Sequence, residues 1–452
     1  MVPKMSLLFY TVRKLINRGA TSNLSNMVNK LHPADIAQVM QQLGPSDRFF
    51  LFGLIAEKDK AAEVLSELNP PSRSELLEQL DPKRIAEIFK EMSPDDLADI
   101  IGDMPKEIAG KVLESLGKKD SEEIQELLKY EEDTAGGIMS THFLALNENI
   151  TVKEALEKIR ATSDDMEVTL YLYLVDDFQH LTGIVSFRKL LTSHLDTPLK
   201  KIMKTEVISV RVDEDQEDVA KIVEKYNILS VPVVDRYNKL VGVVTVDDVI
   251  DVIRAETTED IYKMAGTSHE ELFEQSTWKV VMMRMPWLLI TLIGETCSYL
   301  IMRWHRGTLQ ENIAISFFIP MIMALGGNVG NQSQTIVVRG LATGKILDTE
   351  QWKILFKQVR IGMAMGVIAG VLISLFSMVI DSRHHVLSVI VGFSLFMSIT
   401  ISGIMGAVVP FVLKRLNIDP AVAAGPFITN FNDVVSIFIY LSLATSLIVF
   451  LV

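Results

Sequence analysis

Three rhythms of apolar and polar positions follow one another along the 452-residue chain. From residue 24 to 117, short apolar patterns at helical spacing open just after Pro33, Pro45, Pro70, Pro82, Pro94 and Pro105. The prolines recur about every dozen residues, with one interval doubled. Most follow a capping or turn residue, as in Gly44-Pro45, Asn69-Pro70, Asp81-Pro82 and Ser93-Pro94. Proline in the first turn behind a cap is a helix start signal, because the N–H it lacks would be unpaired there anyway. This stretch predicts an array of short helices of roughly ten residues, stacked as a small solenoid.

Between 131 and 262 the rhythm becomes β-rich and repeats once. Gly137-Ile138-Met139 returns as Lys201-Ile202-Met203, each followed by a strand-like segment and an amphipathic helix, Val152–Arg160 and Glu217–Tyr226. The β-rich runs Tyr171–Val175 and Ser230–Val234 come next, then the matching strings Gly183-Ile184-Val185-Ser186 and Gly242-Val243-Val244-Thr245. Two β-α-β-β-α copies with landmarks in this order resemble a tandem pair of CBS domains. The resemblance implies a ligand sensor rather than a catalyst. Thr245 and Asp248 of the second copy stand at the family's phosphate and ribose positions, whereas the first copy has Arg188 and Lys189 where the acidic residue would be. At most one site, for ATP or another adenosine nucleotide, is therefore expected, at Thr245 and Asp248.

Beyond residue 279 the apolar runs lengthen. A bilayer-spanning helix needs about 20 mostly apolar residues, and five stretches qualify, near 281–302, 313–338, 360–380, 386–412 and 421–450. The last two contain Pro410 and Pro426 and are expected to be kinked or tilted. No charged residue lies between Arg360 and Asp381, and Gly362, Gly366 and Gly370 recur at the interval that lets helices approach closely in lipid. Arg339, Lys345, Lys353, Lys357 and Arg360 link spans two and three, and Lys414 and Arg415 link four and five; Arg303, Arg306 and Arg383 lie on the other side. By the positive-inside rule the first group is cytoplasmic. That orientation puts the N-terminal half in the cytoplasm and the C-terminus outside a cell (inner) membrane. The short apolar run Met5–Tyr10 has no small-residue cleavage site behind it and is not read as a signal peptide.

The organisation expected is multidomain. An all-α helical-repeat N domain (1–130) precedes an α/β tandem CBS pair (131–262, divided near 200). A connecting helix (263–278) leads to an all-α five-helix transmembrane domain (279–452).

Charge divides the chain in the same place. The total is −13, but residues 279–452 carry 12 basic and 7 acidic side chains, leaving −18 on the rest. Such acidity argues against nucleic acid as a partner. One cysteine, Cys297, excludes a disulfide framework and any CxxC site.

Chemistry inside the membrane half concentrates in two strings. Span two holds Gly326-Gly327-Asn328-Val329-Gly330-Asn331-Gln332-Ser333, and amides packed this densely in an apolar span are costly unless they line a cavity or helix interface. Span five begins Asp419-Pro420-Ala421 and continues Gly425-Pro426-Phe427-Ile428-Thr429-Asn430-Phe431-Asn432-Asp433. Pro426 removes a backbone donor, and a carboxylate such as Asp433 within an apolar span points to an ion pathway. Glu295 in span one fits either a helix interface or a cavity.

These strings, with the order helical array, CBS pair and five spans, resemble the MgtE family of magnesium channels and transporters over nearly the whole chain. The resemblance implies a homodimer in the lipid bilayer, with a pore for Mg²⁺ on its two-fold axis and no enzymatic activity. It further implies that cytoplasmic domains close the pore when internal Mg²⁺ is high. Asp433 is then the pore carboxylate for hydrated Mg²⁺ and Asn331 the nearby amide. Carbonyls around Gly326, Gly425 and Pro426 line the path, and Glu311 attracts cations at its outer end. Asn430 and Ser436 depart from the family's usual Thr and Gly. For the Mg²⁺ sensor the implied metal-binding carboxylates are Asp95, Asp96 and Asp99 of the array, Asp215 and Glu217, Asp247, Asp248 and Asp251, and Glu256, Glu259 and Asp260. Mg²⁺ favours octahedral oxygen coordination, dehydrates reluctantly and is often held through water by one or two carboxylates.

Other functions compete. A preference for Co²⁺ or another divalent ion is one, and a CBS-regulated anion channel is a second, although it expects basic or N–H anion sites that the spans do not offer. A non-transporting receptor is a third, and it leaves Asp433 without a role. His384-His385 near Asp381 fits a transition-metal site or an exposed outer loop.

Overall fold

The computed structural model describes residues 5–102, 104, 106–162, 171–274, 276–346, 348–380, 385–421 and 425–451. Two compact units divide it, Met1–Ile253 and Arg254–Val452.

The first unit opens with short helices: α1 (Met5–Asn17), α2 (Thr21–Val28), α3 (Pro33–Gln41), α4 (Pro45–Phe52), α5 (Lys58–Ser66), α6 (Pro70–Leu77), α7 (Pro82–Phe89), α8 (Pro94–Gly102), α9 (Lys106–Ser115) and α10 (Lys118–Leu127). Proline opens α3, α4, α6, α7 and α8. The doubled interval is filled by α5, which starts at Lys58 behind Glu57 without a proline. Pro105 lies outside the described residues. Two caps act through side chains: Asn69 Oδ1 accepts from the Ser72 N–H (3.0 Å) and the His32 ring from the Ala34 N–H (3.3 Å). The expected cap Asp81 makes no such bond. Alternate helices stack, α1 on α3, α3 on α5, α5 on α7 and α7 on α9, with α4 on α6 and α8 on α10. Within this stack Arg48 is buried, donating to the Met40 and Leu43 carbonyls (both 3.0 Å) and pairing with Glu75 at 2.7 Å.

Two three-stranded sheets follow with the same topology. In the first, β1 (Ala145–Asn147) runs parallel to β2 (Tyr171–Val175), which is antiparallel to β3 (Leu181–Ser186). In the second, β4 (Val210–Arg211), β5 (Ser230–Val234) and β6 (Leu240–Thr245) repeat it, with Tyr171↔Ser186 answered by Ser230↔Thr245. Helices α11 (Val152–Thr162), α12 (Phe187–Leu191), α13 (Gln216–Tyr226) and α14 (Val246–Ala265) complete the two copies. The repeated Met and Gly landmarks interlock. A Cβ at Gly242 would collide with the Met139 side chain, and one at Gly183 would lie 2.8 Å from Met203 Sδ. Each copy thus seats its methionine on the other copy's glycine. The buried Tyr173 hydroxyl meets Ser230 Oγ at 2.7 Å and ties the sheets together. One apolar core runs from Leu24 and Ile88 of the array through Ala135 and Met139 to Val231 and Val244.

The second unit contains α15 (Thr277–Trp304), α16 (Arg306–Glu311), α17 (Ala314–Ala342), α18 (Gln351–Ile380), α19 (His385–Arg415) and α20 (Pro426–Leu451). Five of these are long and apolar enough to cross a membrane. Two expectations change. Pro426 opens α20 instead of interrupting it, whereas Pro410 does lie inside α19. The connecting helix expected over 263–278 does not form. Instead α14 ends at Ala265, Gly266 takes φ +75°, a 3₁₀ turn spans His269–Leu272, and α15 begins at Thr277. The left-handed φ at Gly266 is cheap for glycine and stops the helix there.

Small residues set the spacing of the long helices. On α18, Cβ atoms at Gly366 and Gly370 would lie 2.8 and 2.6 Å from the Phe396 and Gly392 carbonyl oxygens of α19. At Gly406 of α19 a Cβ would collide with the Gly330 carbonyl of α17. Gly406→Ala is therefore expected to push these helices apart at a cost of about 1–3 kcal/mol. Thermal unfolding of the detergent-solubilised protein should show a midpoint several degrees lower. Gly307→Ala, where nothing lies within 4 Å, should leave that midpoint unchanged.

Candidate functional site

The two polar strings meet where α17 packs on α20. Gly327 and Asn331 stand one turn apart on α17, as do Thr429 and Asp433 on α20. A Cβ at Gly327 would lie 3.5 Å from Asp433 Oδ1 and 3.8 Å from Thr429 Cγ2. Asn331 Nδ2 donates to Thr429 Oγ1 (3.2 Å), and Thr429 Oγ1 donates to the Gly425 carbonyl (2.9 Å). Asp433 and Asn331 are half-buried. The adjoining face of α17 leaves Asn328, Gln332, Thr335 and Arg339 exposed. The second half of this helix thus presents a polar stripe on the face next to the one that meets Asp433.

Two glycines expected to line the path have other contacts within the chain. The Gly425 carbonyl is already engaged twice, by Thr429 Oγ1 and by the Thr429 N–H (3.0 Å), and so caps α20. Gly326 turns away from Asp433: a Cβ there would lie 2.7, 2.8 and 3.3 Å from the hydroxyls of Ser436, Ser398 and Ser402. Ser398 Oγ donates to Ser436 Oγ at 2.6 Å. Ser436, at a position where glycine was expected, is thus paired inside the bundle. Asn430 donates to Thr291 Oγ1 of α15 (3.2 Å). Glu311 is exposed at the end of α16. The side chain of Pro426 lies outside what is described, as do Asp381 and His384.

The end of α14 meets the loop that leads into α20. Gly425 has φ +79°, and a Cβ on it would collide with the Met264 carbonyl. Lys263 Nζ contacts Asp419 Oδ2 at 2.9 Å and Glu259 Oε1 at 2.5 Å, and Arg339 reaches Asp260 at 3.8 Å. Burial works against the Lys263 charge, yet its hydrogen bonds to Asp419 and Glu259 hold its pKa above the ordinary lysine value. Burial, then the charge of Asp419, raises the Asp260 carboxyl. Glu259, Asp260 and Asp419 therefore form an acidic group held together by two basic side chains. The sequence gives no sign of a charge partner for Asp419, because 156 residues separate it from Lys263.

Comparison with known proteins decides the family. A model described as a divalent cation transporter, MgtE, matches residues 319–443; the MgtE intracellular N domain matches 31–133, and CBS domains match 135–196 and 199–255. The magnesium transporter MgtE of Thermus thermophilus is 36% identical over 440 residues, 96% of this chain and 97% of that one. The chain belongs to the MgtE family. The magnesium transporter MgtE of Bacillus subtilis is 34% identical over 74% of both chains. A crystal structure of the cytosolic domain of the Mg²⁺ channel MgtE in complex with ATP superposes with a TM-score of 0.52 at 37% identity, covering 54% of this chain and 99% of that domain. These relatives are named as transporters and channels, not enzymes.

The carboxylates of the N-terminal domains of this MgtE-family chain sort by their partners. Asp215 caps α13 by accepting from the Glu217 N–H (2.8 Å), and Glu217 pairs with Lys221 at 3.2 Å. Asp96 accepts from Ser66 Oγ (2.9 Å), and Asp99 and Asp251 are exposed. Asp95 is buried and close enough to Asp248 to repel it. Thr245 Oγ1 donates toward Asp247 and Asp248, both at 2.5 Å. Burial, and then the charges of Asp95 and Asp247, push the Asp248 carboxyl up to about 7 against the lowering effect of Thr245. Glu256 is half-buried on α14. Among the described residues, no three acidic, His or Cys side chains, the group of Glu259, Asp260 and Asp419 included, are placed so that they could hold one metal ion.

Proposed function

We propose that this chain imports hydrated Mg²⁺ down its electrochemical gradient through a pore on a homodimer axis, with the N-terminal domains in the cytoplasm and the C-terminus outside. The polar stripe Asn328–Gln332–Thr335, on the face of α17 next to the one that meets Asp433, carries the reading, because these side chains are exposed on a single copy and facing lipid would cost several kcal/mol. A second copy across a water-filled path removes that cost and brings two Asp433 carboxylates to one ion, the number often used for Mg²⁺ with its waters retained. Asn331 acts there through Thr429, and Glu311 attracts cations at the outer mouth. Two charges falling through 100 mV gain about 4.6 kcal/mol, enough for roughly thousandfold accumulation. Closure by internal Mg²⁺ is therefore required.

Two cytoplasmic groups support such closure, each within its own unit. Asp95 repels Asp248, and Asp419 repels Asp260. A divalent cation that bridges such carboxylates favours the closed arrangement. The likeness to a cytosolic domain solved with ATP supports a nucleotide at Thr245 and Asp248. The test is uptake into proteoliposomes holding a Mg²⁺ indicator under an inside-negative potential. Mg²⁺ entry without ATP hydrolysis is expected. Co²⁺ entry in preference to Mg²⁺ moves the assignment to another divalent ion, and potential-driven Cl⁻ flux without cation flux replaces it by an anion channel.

A further inference from the structure

Glu295 lies in the apolar body of α15 between Leu292 and Ile293 on one side and Tyr299 and Leu300 on the other, all more than half exposed. Glu295 is exposed too. A carboxylate at that depth in lipid would cost several kcal/mol, so it faces water or protein instead. The contacts between α15 and α20 fix its level. Thr291 and Gly294 both meet Asn430, by a 3.2 Å hydrogen bond and by a Cβ position 2.7 Å from the Asn430 Cβ. Further along, Thr308 of α16 meets Thr445 of α20 at 2.8 Å. The helices thus run parallel with nearly constant offset. Asp433, three residues beyond Asn430, is level with residues just past Gly294, within one helical turn of about 5.4 Å.

We propose that Glu295 is a second cation-binding carboxylate of the ion path, which raises the local concentration of divalent cations at Asp433 and sets the apparent affinity for them. The proposal rests on the pore reading above. No basic residue stands between Arg284 and Arg303 on α15 to neutralise Glu295 locally. A negative side chain beside the site focuses cations toward it without displacing their waters.

Full-length protein in proteoliposomes tests this with Mg²⁺ as the probe. Glu295→Gln should raise the half-saturating Mg²⁺ concentration about threefold or more while changing maximal flux less than twofold, and Glu295→Asp should restore most of the affinity. Glu295→Gln with wild-type half-saturation overturns the proposal. So does Glu295→Asp behaving like Glu295→Gln, since only side-chain shape would then matter. Failure of the pore reading looks different: flux surviving Asp433→Ala would remove the site that Glu295 serves.

Discussion

Asp433→Ala is expected to reduce Mg²⁺ flux about a hundredfold or more in liposomes with an inside-negative potential, with the protein still folded. The basis is what surrounds the carboxylate. Among its described neighbours are Gly327, with no side chain, and Thr429, whose hydroxyl is occupied by Asn331 and Gly425. No described ion pair takes up its charge inside the chain. Removing it therefore breaks no internal salt bridge, and the loss falls on the ion. In a dimer two such charges go at once, and each 1.4 kcal/mol of lost stabilisation is tenfold in rate. Thr429→Val should be milder, about threefold to tenfold, because it frees the Asn331 amide without touching the charge. Flux of Asp433→Ala within threefold of wild type would sink the pore assignment.

The legible part of this molecule was the part written in short-range pattern. Prolines behind caps marked five helix starts, and the doubled interval concealed α5 because Lys58 starts a helix without one. Met139 and Gly242 were visible as landmarks of a repeat, but not as partners of each other, since the swap between copies is tertiary. The same holds in the membrane half. The string Gly326-Gly327 looked like one feature, yet successive helix positions differ by about 100°, so Gly327 faces Asp433 while Gly326 faces three serine hydroxyls. Pro426, whose place within an apolar run suggests a kink, starts the helix. Asp419 and Lys263 are too far apart in sequence for any periodicity to join them. Among the carboxylates of the N-terminal domains, sequence nominates clusters but does not separate Asp215, which caps a helix, from Asp248, which is held against a like charge.

That separation yields the second large effect. Asp248→Asn should slow proteolysis of the N-terminal half of the full-length protein about tenfold at pH 8 without Mg²⁺, equivalent to about 1.4 kcal/mol. In the folded chain the Asp248 carboxyl titrates near 7, against an ordinary 3.8, because burial and then Asp95 and Asp247 disfavour its charge. Between those values the folded state keeps a proton that the unfolded state has lost, so stability is fully present below about 4 and declines as pH rises through about 7. Wild type should accordingly be cleaved faster at pH 8 than at pH 6, whereas Asp248→Asn should lose most of that difference. Millimolar Mg²⁺ at pH 8 should slow cleavage of wild type, because a divalent cation does for Asp95 and Asp248 what the proton does. It should add little to Asp248→Asn, whose neutral amide leaves no repulsion to relieve. Asp96→Asn is the control, being exposed and bonded to Ser66, and should keep the wild-type response. Equal Mg²⁺ protection of wild type and Asp248→Asn would remove Asp248 from the switch. A proton and a divalent cation relieving one repulsion make acidification and high Mg²⁺ act in the same direction on the Asp95–Asp248 contact, both slowing cleavage of the N-terminal half.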